Sequence, residues 1–247
     1  MIASRKTFFF SWLKLAEHLF FPSFCKLCSA FLEKPGEKVV CRACWEEVQP
    51  AAAPACPRCG RFYAGVEAPR LCPYCLASPS PLAFHRSCGH YEGKLKEIIL
   101  LFKYRRMRIL GRDLAAFIHR SLDGEENLWR GVDWVVPVPL HPRRKRERGY
   151  NQARVLAAEL AKLRRIKLLD GRLVKIRNAP PQASLEAKDR RKNVRGVYRA
   201  LRVEDLKGKV VLLVDDVFTT GATLAECSRV LRRAGAKEVR AVTVAQA

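Results

Sequence analysis

Five uninterrupted aliphatic residues run directly into two acids and then into hydroxyls around a glycine in "VVLLVDDVFTTGAT", Val210 to Thr223. An apolar run bounded by turn signals reads as a buried strand, and "TLAECSRVLRRAG" after it reads as a helix closed by Gly235. Asp215 and Asp216 then stand at the carboxyl end of a strand, and Thr219 to Thr223 form the turn that starts the helix. Exposed N–H groups at a helix start, with Thr hydroxyls and a glycine that lets the backbone approach closely, make a cradle for an anion. Two carboxylates beside it suit a ligand that carries phosphate together with vicinal hydroxyls or Mg²⁺, and a phosphorylated ribose fits. The chain has neither G-x-x-x-x-G-K-[ST] nor G-x-G-x-x-G, so the P-loop and the dinucleotide fingerprint are excluded.

A second chemistry sits in the first third. "CKLC", "CRAC", "CPRC" and "CPYC" place Cys25, Cys28, Cys41, Cys44, Cys56, Cys59, Cys72 and Cys75 in four C-x2-C pairs. Each pair aims two sulfurs at one metal, and four thiolates complete the tetrahedron of a structural Zn²⁺ site. Twelve residues separate Cys28 from Cys41 and twelve separate Cys59 from Cys72, so the unit is duplicated and two zinc ions are expected. Spacing leaves two pairings open, sequential and cross-braced. Disulfides would need an oxidising compartment, and a redox C-x-x-C occurs once rather than four times. Cys88 and Cys227 are left over, and Cys227 on its helix reads as a small buried thiol.

Two basic runs complete the inventory. In "HPRRKRER" five cations, Arg143, Arg144, Lys145, Arg146 and Arg148, stand against Glu147, and "AKDRRKNVRG" gathers Lys188, Arg190, Arg191, Lys192 and Arg195 around Asp189. Such runs serve a diphosphate, a nucleic acid or simply a solvated face. His141 reads as a base or as a structural or phosphate-contacting group. With 47 Lys+Arg against 24 Asp+Glu the formal charge is +23, which favours polyanionic partners.

The elements that must position these groups follow from periodicity. From about residue 82, helical and strand-like segments alternate: "GKLKEIILLFKYRR" and "GRDLAAFIHRSL" as helices, "VDWVVPVPL" as a strand entering a loop, "NQARVLAAELAKLRR" as a helix, and "EVRAVTVAQA" as a last strand. That alternation gives an α/β fold, a parallel sheet with helices on both faces, whose ligand site lies beyond the carboxyl ends of the strands. Three regions are expected: an N-terminal amphipathic helix over 1–24, a zinc-ribbon module over 25–80 and the sheet domain over 81–247. Phe8, Trp12, Leu15 and Leu19 fall at helical spacing before Pro22, while Lys14, Glu17 and His18 interrupt the apolar run. No export signal or window of transmembrane length emerges, which predicts a cytoplasmic protein.

Taken together, the motifs resemble a known family. "VVLLVDDVFTTGAT" is similar to the phosphoribosyl diphosphate (PRPP) motif of type I phosphoribosyltransferases. The order of cysteine module, "PVPLHPRRKRERGYNQA", "PPQASLEAKDRRKNVRGVY" and PRPP motif resembles the ComF/GntX family, associated with DNA uptake in natural competence or with use of external DNA. The resemblance implies that Asp215 and Asp216 hold the ribose hydroxyls, that Thr219, Thr220, Gly221, Ala222 and Thr223 hold the 5′-phosphate, and that Pro137, Val138, Pro139 and Leu140 form the pyrophosphate loop, with Mg²⁺ accompanying PRPP. Arg143, Arg144, Arg148, Gln182, Arg191 and Asn193 are the mobile-loop and basic candidates. Phe218 stands where the superfamily has an aliphatic residue, and Ala179 where the family often has Thr. Three functions stay open: a Mg²⁺-dependent transferase, a nucleic-acid-binding protein for single-stranded DNA whose PRPP site is a sensor or relic, and an adaptor docking other DNA-uptake proteins.

Overall fold

The structure is a computed structural model that describes residues 23–32, 39–63, 70–77, 80–177 and 195–247. The amphipathic helix expected over 1–24 lies almost wholly outside the described residues, as do Ala179, Gln182, Arg191 and Asn193. Two compact units divide between Gln49 and Pro50.

In the first unit, Phe24 and Phe31 form an antiparallel bridge that closes the turn carrying Cys25 and Cys28. Helix α1 (Arg42–Glu46) follows, with Cys41 as its N-cap. Among the described residues of this unit, the buried apolar ones beside the cysteines are Leu32, Val40 and Val48.

The second unit begins with the same device. Ala55 and Phe62 bridge around Cys56 and Cys59, and α2 (Pro73–Ala77) carries Cys75. The chain then runs β1 (Phe84–His90), α3 (Gly93–Tyr104), α4 (Leu110–Ser121), α5 (Glu126–Trp129), β2 (Trp134–Pro137), α6 (Pro142–Arg148), α7 (Gln152–Arg164), β3 (Lys167–Leu168), β4 (Leu173–Lys175), β5 (Tyr198–Ala200), a 3-10 turn (Val203–Leu206), β6 (Val210–Phe218), α8 (Ala222–Arg233) and β7 (Glu238–Gln246). Five strands make a parallel sheet in the order β1-β7-β6-β2-β3, and β4 pairs antiparallel with β5 as a separate ribbon.

Burial on both faces explains why β6 and β7 read as apolar runs rather than alternating ones. Val211, Leu213, Val239 and Ala241 face Leu224, Cys227 and Leu231 of α8. The intervening Leu212, Val214, Val242 and Val244 are equally buried and by alternation point to the opposite face, where α4 and α7 pack on the sheet and on each other. The expected α/β layout is the observed one. The sequence reading missed β1, whose "FHRSCGH" is too polar to announce a buried strand. It is buried because its polar groups are satisfied. His85 Nδ1–H donates to the Cys59 carbonyl (2.7 Å), so Nε2 must accept from the Thr243 hydroxyl (3.1 Å), which in turn accepts from Ser87 (2.7 Å). Burial drives the His85 pKa down to about 4, keeping the imidazole neutral.

Candidate functional site

The four pairs of cysteines resolve into two sequential clusters, Cys25, Cys28, Cys41 and Cys44 and then Cys56, Cys59, Cys72 and Cys75, with the sulfurs of each within 4.8 Å of one another. Four thiolates at ~2.3 Å from a tetrahedral Zn²⁺ lie ~3.8 Å apart. The described separations, 3.5 Å for Cys28–Cys41, 3.9 Å for Cys25–Cys44 and 3.5 Å for Cys59–Cys72, match that edge and are far from a disulfide bond. Backbone N–H groups of Leu27 and Cys41 point at Cys25 Sγ, and that of Cys72 at Cys56 Sγ, which favours the thiolate form a metal needs. The two knuckles differ in one instructive place. Ser29 and Gly60 both take positive φ (61° and 64°) after the second cysteine. At Gly60 a Cβ would lie 2.3 Å from the His85 carbonyl oxygen, so glycine is required where the second cluster packs against β1.

At the carboxyl end of the sheet, β6 delivers the acid pair and α8 starts directly beyond it. Gly221 adopts φ 77°, and a Cβ there would meet the Phe218 ring at 2.9 Å. Thr220 Oγ1 accepts from the Ala222 N–H (3.4 Å) at the start of α8. Thr223 lies beside Tyr198 of β5, whose buried phenol is raised by burial and then by Cys227 and Asp215. Phe218 is held by stacking on His85, with ring centroids 4.4 Å apart. A cavity of about 560 Å³ opens between Phe218, the Thr220–Ala222 turn and the second cysteine cluster; Asp215 and Asp216 do not line it.

The structure brings to this end a residue that sequence reasoning missed. Lys103 Nζ of α3 lies 2.7 Å from Asp216 Oδ1, with both side chains largely buried. Burial by itself would depress the Lys103 ammonium, but Asp216 outweighs it and holds the pKa above the ordinary lysine value. Asp215 faces another environment. Burial, then the neighbouring Asp216 charge, push its carboxyl up to about 7, against the pull of the Asp216 N–H (2.9 Å), Lys103 and Lys175. Lys175 on β4 is lowered by burial and by Arg144.

"PVPL" sits next door. Val138 N–H donates to the Val214 carbonyl (3.0 Å), which fixes Pro137–Leu140 beside the acids. The residues after it support this geometry. Asn151 donates to the Val138 carbonyl (3.0 Å) and caps α7 through Ala153 N–H (3.1 Å). Tyr150 OH donates to the Phe102 carbonyl, and Gln152 to that of Lys103 (3.4 Å). "GYNQ" thus clamps the end of α3 that carries Lys103, a role legible only once the two segments are adjacent.

Among the basic candidates, Arg143 pairs with Glu147 (3.1 Å) on the exposed face of α6, and Arg148 with Gln152 (3.1 Å). Arg144 alone of the three bears electrostatically on Lys175 and Tyr198 beside the acids. His141 caps α6, its Nδ1 accepting from Arg143 N–H (3.3 Å), which is the structural one of its expected roles. Gln182, Arg191 and Asn193 fall in 178–194, the segment that the β4–β5 ribbon brackets and that lies outside the described residues. Cys88 and Cys227 are buried, with thiols raised by burial.

A parallel sheet ending in an acid pair and a Gly-centred turn, with two four-cysteine zinc-binding sites ahead of it, defines a phosphoribosyltransferase-type domain joined to a double zinc ribbon. Comparison with known proteins agrees. The phosphoribosyl transferase domain model matches residues 103–247 and the double zinc ribbon domain model residues 16–76. Competence protein F of Haemophilus influenzae is 30% identical over 84% of this chain and 90% of its own length. The DNA utilization protein YhgH of Salmonella typhimurium is 31% identical over 89% and 95%. Of solved structures, glutamine PRPP amidotransferase from B. subtilis matches 57% of this chain and 26% of its own, at 24% identity and a TM-score of 0.35. The chain belongs to the ComF/GntX family of phosphoribosyltransferase-domain proteins.

Proposed function

We propose that the chain is a cytoplasmic protein that binds PRPP with Mg²⁺ at the carboxyl ends of β2 and β6 and serves DNA uptake or DNA utilisation, as the names of its relatives say of them. The observation that carries the PRPP reading is the continuity of β6 into the positive-φ turn at Gly221 and the start of α8, with both acids at the junction. In this reading Asp215 and Asp216 take the ribose hydroxyls, Thr219 to Thr223 the 5′-phosphate, and Pro137 to Leu140 the diphosphate. Gln182, Arg191 and Asn193, outside the described residues, are the mobile-loop candidates of this reading.

Bound Mg²⁺ would supply charge neutralisation at the diphosphate through carboxylate and phosphate oxygens. Lys103 has a double part: with the site free it compensates Asp216, and a bound diphosphate offers its ammonium a stronger anion. Loss of diphosphate from the anomeric carbon builds positive charge on the sugar ring, which carboxylates holding the ribose hydroxyls would stabilise. A nitrogenous nucleophile would complete a transferase; without one, the site is a PRPP sensor.

Isothermal calorimetry of PRPP with Mg²⁺, comparing the intact chain with Asp215→Asn/Asp216→Asn, tests the site. Binding to the first and none to the second is expected, and no binding to a folded, zinc-loaded chain would sink the reading. Pyrophosphate release in the presence of candidate bases separates enzyme from sensor.

A further inference from the structure

The cavity between the second cysteine cluster and the Gly221 turn has no part in the proposed function, yet at about 560 Å³ it falls within the ~300–1,000 Å³ of small-molecule sites. Its walls are Tyr74, Leu82, Phe218, Ala222 and Ala225, with the backbone of the Gly221 turn between them. The Arg61 guanidinium bridges two of these walls, 4.9 Å from the centre of the Tyr74 ring and 5.5 Å from that of Phe218. Besides the cysteines, the charged side chains lining the cavity are Arg61, Glu226 and Arg229, and they are not equally matched. Glu226 is engaged at both oxygens, one accepting from the Gly196 N–H (2.9 Å) and the other paired with Arg229. Arg61 has no acid. Among the described residues its guanidinium makes neither an ion pair nor a hydrogen bond, and its Nε is buried without an acceptor.

We propose that this cavity is a second ligand site, for a planar aromatic monocarboxylate whose carboxylate meets Arg61 and whose ring lies among Tyr74, Phe218 and the alanines. A guanidinium recognises a carboxylate through two parallel N–H donors, and a buried donor without an acceptor is satisfied by a ligand that supplies one. Walls made of rings and small apolar side chains suit a flat apolar body. The charge of the ligand follows from its neighbours. Cys59 and Cys75 also line the cavity, and four thiolates around one Zn²⁺ leave their cluster negative, so a monoanion is accepted where a phosphate dianion is repelled. A mere counter-ion for those thiolates would donate to a sulfur; Arg61 lies over two rings instead. Asp215 and Asp216 do not line the cavity, so the inference does not rest on the PRPP reading.

Calorimetry and saturation-transfer NMR with naphthoate, on the full zinc-loaded chain, test it. Naphthoate should bind with a Kd below about 1 mM, and neutral naphthamide and the dianion naphthyl phosphate should each bind about ten-fold or more weakly. Octanoate, which has the carboxylate without the ring, should lose about five-fold or more. Arg61→Met keeps an unbranched stem and removes the charge, and it should bring naphthoate down to the level of naphthamide. Ala225→Phe puts a ring into the cavity from α8 and should abolish binding of both while leaving Arg61 in place. Asp215→Asn/Asp216→Asn should leave naphthoate affinity within about two-fold. Zinc content and thermal unfolding confirm that each variant is folded, and Ala225→Phe decides the matter should Arg61→Met release zinc. No binding of naphthoate at about 1 mM, equal affinity for naphthamide or octanoate, tighter binding of naphthyl phosphate, or unchanged affinity in Ala225→Phe would overturn the inference. So would loss of naphthoate binding in the acid-pair variant, which would place the probe in the site proposed for PRPP. Failure of PRPP to bind the intact chain, with naphthoate still bound, would sink the PRPP reading and leave this inference standing.

Discussion

Asp215 and Asp216 are consecutive on a strand, so their side chains leave on opposite faces, and their chemistry diverges for that reason. Asp216 meets Lys103 from α3, while Asp215 looks toward Lys175 and Tyr198 on the ribbon side. Asp215, raised to about 7, is protonated in the folded chain and ionised in the unfolded chain between the ordinary value of 3.8 and about 7. Folding therefore loses stability as pH rises through that window, because the folded state binds the extra proton. Asp215→Asn removes this cost: at pH 8 it should raise the unfolding midpoint by about 2–8 °C, from on the order of 1–2 kcal/mol, and show little gain at pH 4. PRPP affinity of the unmodified chain should strengthen from pH 6 to pH 8 as Asp215 ionises, measured by calorimetry at matched ionic strength. Lys103→Met should destabilise by about 3 kcal/mol, since it strands a buried carboxylate, and also weaken PRPP binding, with Lys103→Arg restoring part of both.

At the scale of elements, the turn between β6 and α8 is specified twice, once by backbone conformation and once by a neighbour. Gly221→Ala must hold φ near 77° and also move the Phe218 ring, which is itself stacked on His85. The cost should be about 2–3 kcal/mol in denaturant unfolding, more than the ~1 kcal/mol of a left-handed alanine alone. Combining it with Phe218→Leu should cost less than the two changes summed, because the leucine leaves the added methyl its space; strict additivity would show that only φ matters. The strand, turn and helix were legible in sequence because their signals are local: an apolar run, acids, hydroxyls and a glycine in order. The strand β1 was not, because His85, Arg86 and Ser87 read as surface until Cys59 and Thr243 supply partners for His85 and Ser87, and Glu125 one for Arg86.

For the whole molecule, the two zinc sites differ in what else supports them. Among its described residues the first unit buries few apolar side chains beyond its cysteines, so metal binding provides much of the folding energy there. The second cluster is bonded to β1 through His85 and Cys59 and packs Phe62 on His90 (4.7 Å between centroids). Chelation should therefore release two zinc ions per chain, unfold the first unit and leave a cooperative sheet transition. Zinc release with limited proteolysis checks this: cleavage is expected before Gln49, and simultaneous loss of the sheet would contradict it. The sequence alone determined the cysteine duplication, the parallel α/β architecture and the acid-turn motif, since each is written within one or two elements as spacing or period. Tertiary structure decided the sequential pairing of the clusters, Lys103 as the partner of Asp216, the clamp formed by Tyr150 and Gln152, and the cavity that the second cluster shares with the Gly221 turn. Each of these depends on which segments the sheet order makes neighbours, and hydrophobic periodicity records which face of an element is buried without recording what it is buried against.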